Sequence, residues 1–268
     1  LYKPGLVYEH IDLNQDNPLL RNRDIRHALV YAIDREAISQ QLFGGRQPVA
    51  QSSVNPLDWV AAEDIPKYTY DPRKALELLV KAGFTKLVQS VRHHKDTGEA
   101  LRFEFMTTAG SKARELVQQV LQSQWKAVGI DVRIKNEPAR VYFGQTVTQR
   151  KFTGLAMYAW SSAPESVPRT SLHSAHIPTE ANGWAGQNYP GFKNAEMDEL
   201  IEKIEVELDK PTRKKLWRRL QEIYVTELPA IPLYFRAETF IMPPWLTGVA
   251  PTGHQYPSSL WVEDWGVK

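Results

Sequence analysis

The sequence predicts an α/β fold in which helices pack on a central β-sheet. Segments with helical periodicity alternate with short apolar or alternating segments along most of the 268 residues. Hydrophobic residues make up 42% and charged residues 24% of the chain, the ordinary balance of a globular domain with a substantial core. The length allows one large domain or two modest ones, and no internal repeat is visible.

The strands of this sheet are predicted from period-two alternation and from short apolar runs. Residues 6–13 alternate apolar and polar side chains, which is typical of a half-buried strand. Residues 155–160 form a short apolar run and are predicted to be a buried strand. The remaining predicted strands are residues 101–106, 130–134 and 231–235.

The helices are predicted from apolar stripes that begin at capping residues and end at glycines. Asp24, Asp34 and Asp71 are expected N-caps, and Pro72 fits the first turn of the third of these helices. The predicted helices are residues 24–34, the segment from Asp34 to Gly44, the segment from Asp71 to Gly83, and residues 113–128, 195–208 and 211–227. From residue 228 onward the chain is rich in Pro, Trp and Gly and lacks helical periodicity.

Composition excludes several classes of function. The net charge is +2, from 33 basic and 31 acidic residues, so no nucleic-acid partner is expected. There are no cysteines, which excludes disulfides and thiol chemistry. No run approaches the roughly 18 apolar residues of a membrane helix, so no direct membrane insertion is expected. The first residues lack the features of a signal peptide, so either the protein is cytosolic or its true N-terminus has been removed.

Motifs of catalysis and metal binding are missing from the sequence. It contains no G-x-S-x-G, no phosphate-binding P-loop and no G-x-G-x-x-G. His173 and His176 are spaced like metal ligands, but no helical pattern or supporting carboxylate accompanies them, so a loop is the better interpretation. We therefore expect no catalytic residue, no metal site and no cofactor.

Residues 158–189 have the composition of a ligand site. Aromatic side chains alternate there with amides, hydroxyls and charges, and such a mixture suits a concave binding site. A long surface loop whose tryptophans pack on their own core is an equally good interpretation of this composition. The candidate ligand-binding residues in this region are Trp160, Tyr158, Ser161, Ser162, Glu165, Arg169, Asn182 and Trp184.

Five segments, in order along the chain, resemble family 5 of the solute-binding proteins of ABC importers, which handle dipeptides, oligopeptides and nickel. Residues 24–38 read DIRHALVYAIDREAI and are similar to VRQALSYAIDREAI of that family. Residues 70–84, 121–134, 188–201 and 209–234 resemble its later helix and strand motifs. Each motif alone is weak, whereas the ordered set is highly specific and identifies a scaffold rather than a ligand.

The resemblance implies a two-lobed clamp that buries a solute between its lobes. This chain resembles the C-terminal lobe, a periplasmic-binding-protein-like α/β lobe over residues 1–228, with residues 229–268 as a tail that would return to a missing N-terminal lobe. The implied function is capture of a peptide or peptide-like solute in the periplasm and its delivery to an ABC-importer permease. A hydrolase acting on peptides or glycans, and a binding protein for sensing or chaperoning, are the alternatives.

The resemblance also bears on the ligand. Trp160 matches the tryptophan that contacts peptide in the family, whereas the position of the aspartate that pairs with a peptide amino terminus is Ala163 here. Glu165 could take over that role from two residues further on. A blocked or modified peptide, a sugar or another amphiphilic solute therefore stays open as the ligand. Glu165 and Arg169 are candidates for opposite charges on it.

Overall fold

The computed structural model describes residues 1–161, 163–251 and 258–268, and a five-stranded mixed sheet lies at its centre. The sheet order is β5-β4-β6-β1-β7; β4 is parallel to β5 and β6, and β1 is antiparallel to β6 and β7. Two small antiparallel pairs, β2 with β3 and β8 with β9, lie outside it. The strands are β1 (Tyr2–Leu13), β2 (Lys86–Val88), β3 (Val91–His93), β4 (Arg102–Met106), β5 (Asp131–Ile134), β6 (Leu155–Ser161), β7 (Ala230–Thr239), β8 (Leu246–Thr247) and β9 (Gly266–Val267).

Helices of very different lengths connect these strands. A π-helical turn, Tyr142–Thr146, and three 3₁₀ segments add irregular helical structure among the residues that the structure describes. Within the described ranges, no helix is both long and apolar enough to cross a membrane. The α-helices are α1 (Pro18–Arg21), α2 (Arg23–Tyr31), α3 (Arg35–Phe43), α4 (Pro72–Lys81), α5 (Lys112–Ala127), α6 (Ala139–Val141), α7 (Arg169–Leu172), α8 (Ala195–Val206) and α9 (Lys210–Glu227).

Two of the three predicted helix caps are confirmed. The Asp34 carboxylate accepts from the Ala37 amide at 2.8 Å, and the Asp71 carboxylate accepts from the Lys74 amide at 2.9 Å. The prediction for Asp24 is wrong, because α2 begins one residue earlier and Asn22 caps it. Asp24 instead forms an ion pair with Lys81 of α4.

The main hydrophobic core lies between the sheet and the helices. Ile11 and Leu13 of β1 are fully buried in it, together with Phe105 of β4 and Trp125 of α5. The Trp125 indole donates to the carbonyl of Leu29 at 2.9 Å, which joins α5 to α2. The apolar stripes read from the sequence therefore face this core.

β7 belongs to the central sheet, although residues 229–268 were assigned to the tail. It pairs with β1 from the Tyr2–Thr239 pair to the Asp12–Ala230 pair. The reason is the apolar content of residues 230–235, which suits a strand buried on both faces. β7 is thus part of the same sheet as β1 and β6, and the domain boundary at residue 228 stays a prediction.

Arg35 fastens β7 to two neighbouring segments from inside the protein. Its side chain is buried, and it donates to the carbonyls of Ala50 at 2.6 Å, Pro232 at 2.8 Å and Tyr68 at 2.6 Å. Burial lowers the pKa of the guanidinium to about 10. Backbone acceptors thus replace the carboxylate partner that a buried arginine usually has.

We expect Arg35→Met to lower the free energy of unfolding by about 3 kcal/mol, since three buried carbonyls lose a charged donor. Urea denaturation followed by circular dichroism measures this change. Arg73→Met, at a position of α4 without a buried contact, is the matched control and should cost less than about 0.5 kcal/mol. Equal losses in the two variants would contradict this account of Arg35.

Candidate functional site

A cavity of about 230 Å³, partly open to solvent, lies against one face of the central sheet. Strands β1 and β6 provide one wall. The loops 53–58 and 163–168 and helix α7 provide others, and Trp217 and Tyr224 of α9 contribute from the helical layer. Concave sites of this kind, with aromatic surface and a few polar groups, are the usual form of a small-molecule site.

The pairing of β1 with β6 decides which side chains reach the cavity. In this antiparallel register Tyr8 lies opposite Trp160 and His10 lies opposite Tyr158. Residues directly opposite each other point to the same face of the sheet, as do alternate residues of one strand. Tyr8, His10 and Asp12 of β1 therefore line the cavity together with Tyr158 and Trp160 of β6.

These five side chains form a packed polar and aromatic cluster. The ring of His10 stacks on Tyr8 with centroids 5.0 Å apart and meets Tyr158 edge-on at 4.6 Å. The Tyr158 hydroxyl donates to Asp12, and His10 Nε2 lies 3.3 Å from the other carboxylate oxygen of Asp12. All except Trp160 are almost completely buried.

The electrostatics of the cluster are set by burial and by the Asp12 charge. Burial, followed by the charge of Asp12 and its hydrogen bond, raises the pKa of Tyr158 well above its ordinary value. Burial and then contact with Tyr224 raise the pKa of Tyr8, and Asp12 adds to the effect. The hydroxyls of Tyr8 and Tyr224 are 2.9 Å apart. These tyrosines therefore stay neutral donors at physiological pH.

Comparison with known protein families gives one match. Residues 1–179 match the middle segment of the bacterial extracellular solute-binding proteins, family 5. The chain belongs to this family.

Curated relatives and solved structures of solute-binding proteins agree with that assignment. The oligopeptide-binding protein AppA of Bacillus subtilis is 30% identical over 251 residues, which is 91% of this chain and 44% of AppA. The oligopeptide-binding protein of Thermus thermophilus, solved with a pentapeptide, superposes with a TM-score of 0.84 at 32% identity, over 92% of this chain and 44% of that one. AppA solved with a nonapeptide gives a TM-score of 0.85 at 26% identity, over 100% of this chain and 52% of AppA. This solute-binding chain thus spans about half the length of the relatives it matches.

Three of the residues that the sequence predicted for ligand binding are brought together at the cavity. Tyr158, Trp160 and Ser161 line it, at the end of β6. Trp160 is half-buried and stacks on Tyr189 with centroids 6.2 Å apart, so its ring is held in place beside the cavity. Ser162 lies outside the residues that the structure describes. Binding of a ligand by these residues stays a prediction.

Glu165 does not line the cavity, although it was expected to meet a charge on the ligand. One of its carboxylate oxygens accepts from the indole of Trp59, and the other accepts from Arg213 at 3.0 Å. Its amide donates to Asp58 at 2.6 Å. With both oxygens engaged, Glu165 fastens the loop 163–168 to the loop 53–58 and to α9.

The other three predicted residues lie away from the cavity lining. Arg169 forms a two-pronged ion pair with Glu205 of α8 at 2.6 Å. The Asn182 side chain accepts from the Thr179 amide and so closes a short 3₁₀ turn. Trp184 is half-buried with a φ of 63°, next to that turn. The side chains of Arg169 and Asn182 thus make contacts within the protein in this structure.

The two histidines that were interpreted as part of a loop do lie in one. His173 caps a short 3₁₀ turn that ends at His176, and the two rings meet edge-on with centroids 5.9 Å apart. His173 Nδ1 accepts from the Ala175 amide at 3.1 Å. Among the residues with described positions, no group of three His, Asp or Glu side chains could hold a metal ion.

Sequence reasoning missed Tyr8, His10 and Asp12 as cavity residues. The signal was available, because the alternation of residues 6–13 places these three polar side chains on one face of the strand. Asp58 was missed as well, and it lies in a loop without periodicity. Its place at the cavity depends on contacts with Glu165 that are distant in sequence.

We expect the alkaline stability of the protein to depend on Tyr158. Its pKa is raised on folding, so its contribution to stability is complete below the unfolded tyrosine pKa of about 10 and is lost as the pH rises above it. Tyr158→Phe should reduce the fall in unfolding free energy above pH 10 by about 1.4 kcal/mol per pH unit. Urea denaturation at several pH values between about 8 and 11 measures the slope around that pKa. Tyr70→Phe, at an exposed position, should leave the slope unchanged.

Proposed function

We propose that this chain is the C-terminal lobe of a solute-binding protein that captures peptides or peptide-like solutes and delivers them to an ABC-importer permease. The cavity against β1 and β6 is the observation that carries the proposal. Tyr158, Trp160 and Ser161 would contact the ligand there. Residues after Thr239 would return to a second lobe, and closure of the two lobes over the solute would produce the form that a permease recognises.

The composition of the cavity wall supports a peptide as the ligand. Peptides offer amide donors and acceptors beside apolar side chains, and the wall offers aromatic rings beside hydroxyls, amides and carboxylates. Trp217 lines the cavity as well and adds a further aromatic ring to its wall. The relatives reported above are oligopeptide-binding proteins, which supports the same class of ligand.

A binding role without catalysis fits the arrangement of the side chains better than hydrolysis does. His10 and Asp12 have the composition of a base and its orienting carboxylate. The ring nitrogens of His10 face Asp12 and the carbonyl of Tyr8. In the part of the chain that the structure describes, no serine or threonine hydroxyl is hydrogen bonded to a histidine. The hydrolase alternative therefore lacks an activated nucleophile there.

The family description places these proteins outside the cytoplasm, and we propose the periplasm as the compartment. The physical requirement is simple. A protein that hands a solute to an importer must reach the outer face of the membrane that holds the permease. The absence of cysteine is compatible with this compartment.

Native mass spectrometry of the full-length protein, purified without unfolding, tests the proposal. A bound mass that fragments as a peptide is the expected result. A bound sugar or other non-peptide solute would overturn the peptide assignment and leave solute capture in place. An empty protein that shows no thermal shift with peptides would overturn the capture of peptides altogether.

We expect Trp160→Ala to weaken peptide binding by about tenfold to hundredfold, since aromatic anchors in such sites contribute about 2 kcal/mol or more. Isothermal titration calorimetry of the full-length protein, with an alanine–phenylalanine pentapeptide as the probe, measures the loss. Trp184→Ala is the matched control, because Trp184 is also half-buried and does not line the cavity. Equal losses in the two variants would contradict the placement of the ligand beside Trp160.

A further inference from the structure

The charged groups of the cavity wall have one sign. Among the described residues that line it, Asp12 and Asp58 carry carboxylates and His10 carries an imidazole, whereas none is a lysine or arginine. The cavity is therefore an electronegative recess in a chain whose overall charge is close to neutral. A recess of this kind attracts cations and disfavours anions.

Asp58 is the weaker of the two candidate partners for a cation. Its side chain already accepts from the Glu165 amide at 2.6 Å and from the Val60 amide at 3.3 Å. These bonds use both of its oxygens to hold the loops 53–58 and 163–168 together. Backbone amides thus already compensate the Asp58 carboxylate.

Asp12 is a buried carboxylate with one hydroxyl donor and one long contact to an imidazole. The residue is 3% exposed, and one carboxylate oxygen accepts from the Tyr158 hydroxyl. The other oxygen lies 3.3 Å from His10 Nε2. This distance is longer than the roughly 2.7–2.9 Å of a charge-assisted hydrogen bond. A buried carboxylate is costly unless a cation or several donors compensate it. Asp12 therefore retains capacity to stabilise a positive group in the cavity.

Two arginines whose charge reaches this region are engaged elsewhere. Arg114 pairs with the buried carboxylate of Glu9 at 3.2 Å. Arg35 donates to backbone carbonyls, as described above. The field of Asp12 consequently extends over its neighbours, and it contributes to the raised pKa values of Tyr158, Tyr189 and Tyr224.

The aromatic rings beside Asp12 suit the same kind of ligand. Tyr158 meets Trp160 edge-on with centroids 5.7 Å apart, and the ring of Tyr8 lies on the same wall, beside Trp160 on the paired strand. Ring faces attract ammonium and guanidinium groups, and more strongly where water is excluded.

We propose that the cavity selects solutes that carry a positive charge next to apolar surface, with Asp12 as the counter-charge. The positive group is an ammonium or guanidinium, and it approaches the carboxylate oxygen that faces His10. It comes either from the amino terminus of a peptide or from a basic side chain. This inference rests on the proposed function, because it names the class of peptide that the site captures. The resemblance places an aspartate at the position of Ala163. In this proposal Asp12, on strand β1, supplies the negative charge that is missing there.

Matched tripeptides with amidated carboxyl ends test the proposal by isothermal titration calorimetry of the full-length protein. Each has two phenylalanines around a central residue. One has a free amino terminus and central norleucine, and three are acetylated with central norleucine, lysine or glutamate. We expect the two positively charged peptides to bind about tenfold to hundredfold more tightly than acetylated norleucine peptide, and the glutamate peptide to bind most weakly. The ranking of the two positive peptides tells which source of charge the site uses.

Asp12→Asn isolates the contribution of the carboxylate. Asparagine has the same shape and still accepts from Tyr158, so the fold should be retained, and thermal unfolding checks this. We expect the preference for the positive peptides to fall to less than about threefold, with the norleucine peptide hardly affected. Asp64→Asn makes the same change in net charge at an exposed position paired with Arg218, and it should keep the preference.

Each other outcome overturns a stated part of the proposal. Equal affinity of the wild-type protein for charged and neutral peptides would overturn charge selection and leave peptide capture standing. A preference that survives in Asp12→Asn would exclude Asp12 as the counter-charge. If the wild-type protein binds none of the four peptides, the proposed function fails and this inference fails with it.

Discussion

Strand β1 is the element on which both the fold and the site depend. It lies between β6 and β7, so it holds two strands that are far apart in the sequence. Its side chains alternate between two faces. Ile11 and Leu13 pack into the hydrophobic core, whereas Tyr8, His10 and Asp12 face the cavity. A slip of one residue in its register would exchange these two sets, so the packing of the core also fixes the polar wall of the site.

Buried charges follow two different patterns in this protein. Arg35 and Glu9 are saturated, the first by backbone carbonyls and the second by the guanidinium groups of Arg114 and Arg236, so both contribute to a fixed structure. Asp12 is equally buried but faces the cavity, with a tyrosine hydroxyl and an imidazole at 3.3 Å beside its carboxylate. A buried charge with spare capacity is costly for stability. Such a cost is typical of a group retained for binding.

The loops around the cavity are held by contacts that join distant parts of the chain. Glu165 brings together Trp59, Asp58 and Arg213, and it adopts a φ of 54° that a residue with a side chain rarely takes. Its contacts compensate for this backbone conformation. Glu165 has the chemistry of a ligand contact, but in this structure it positions the cavity wall. The difference lies in which partners the fold brings within reach.

The sequence by itself determined the main helices and strands and the family of this protein. The caps at Asp34 and Asp71, the apolar stripes of the helices and the alternation of β1 depend on neighbours a few residues away, and such local patterns are readable along the chain. It also indicated the aromatic end of β6. Only the tertiary structure decided that Asp12 accepts a hydrogen bond from Tyr158, that Glu165 accepts hydrogen bonds from Trp59 and Arg213, and that β7 completes the sheet beside β1. These outcomes depend on strand order and on contacts between residues more than a hundred positions apart in several cases, and no local periodicity encodes them.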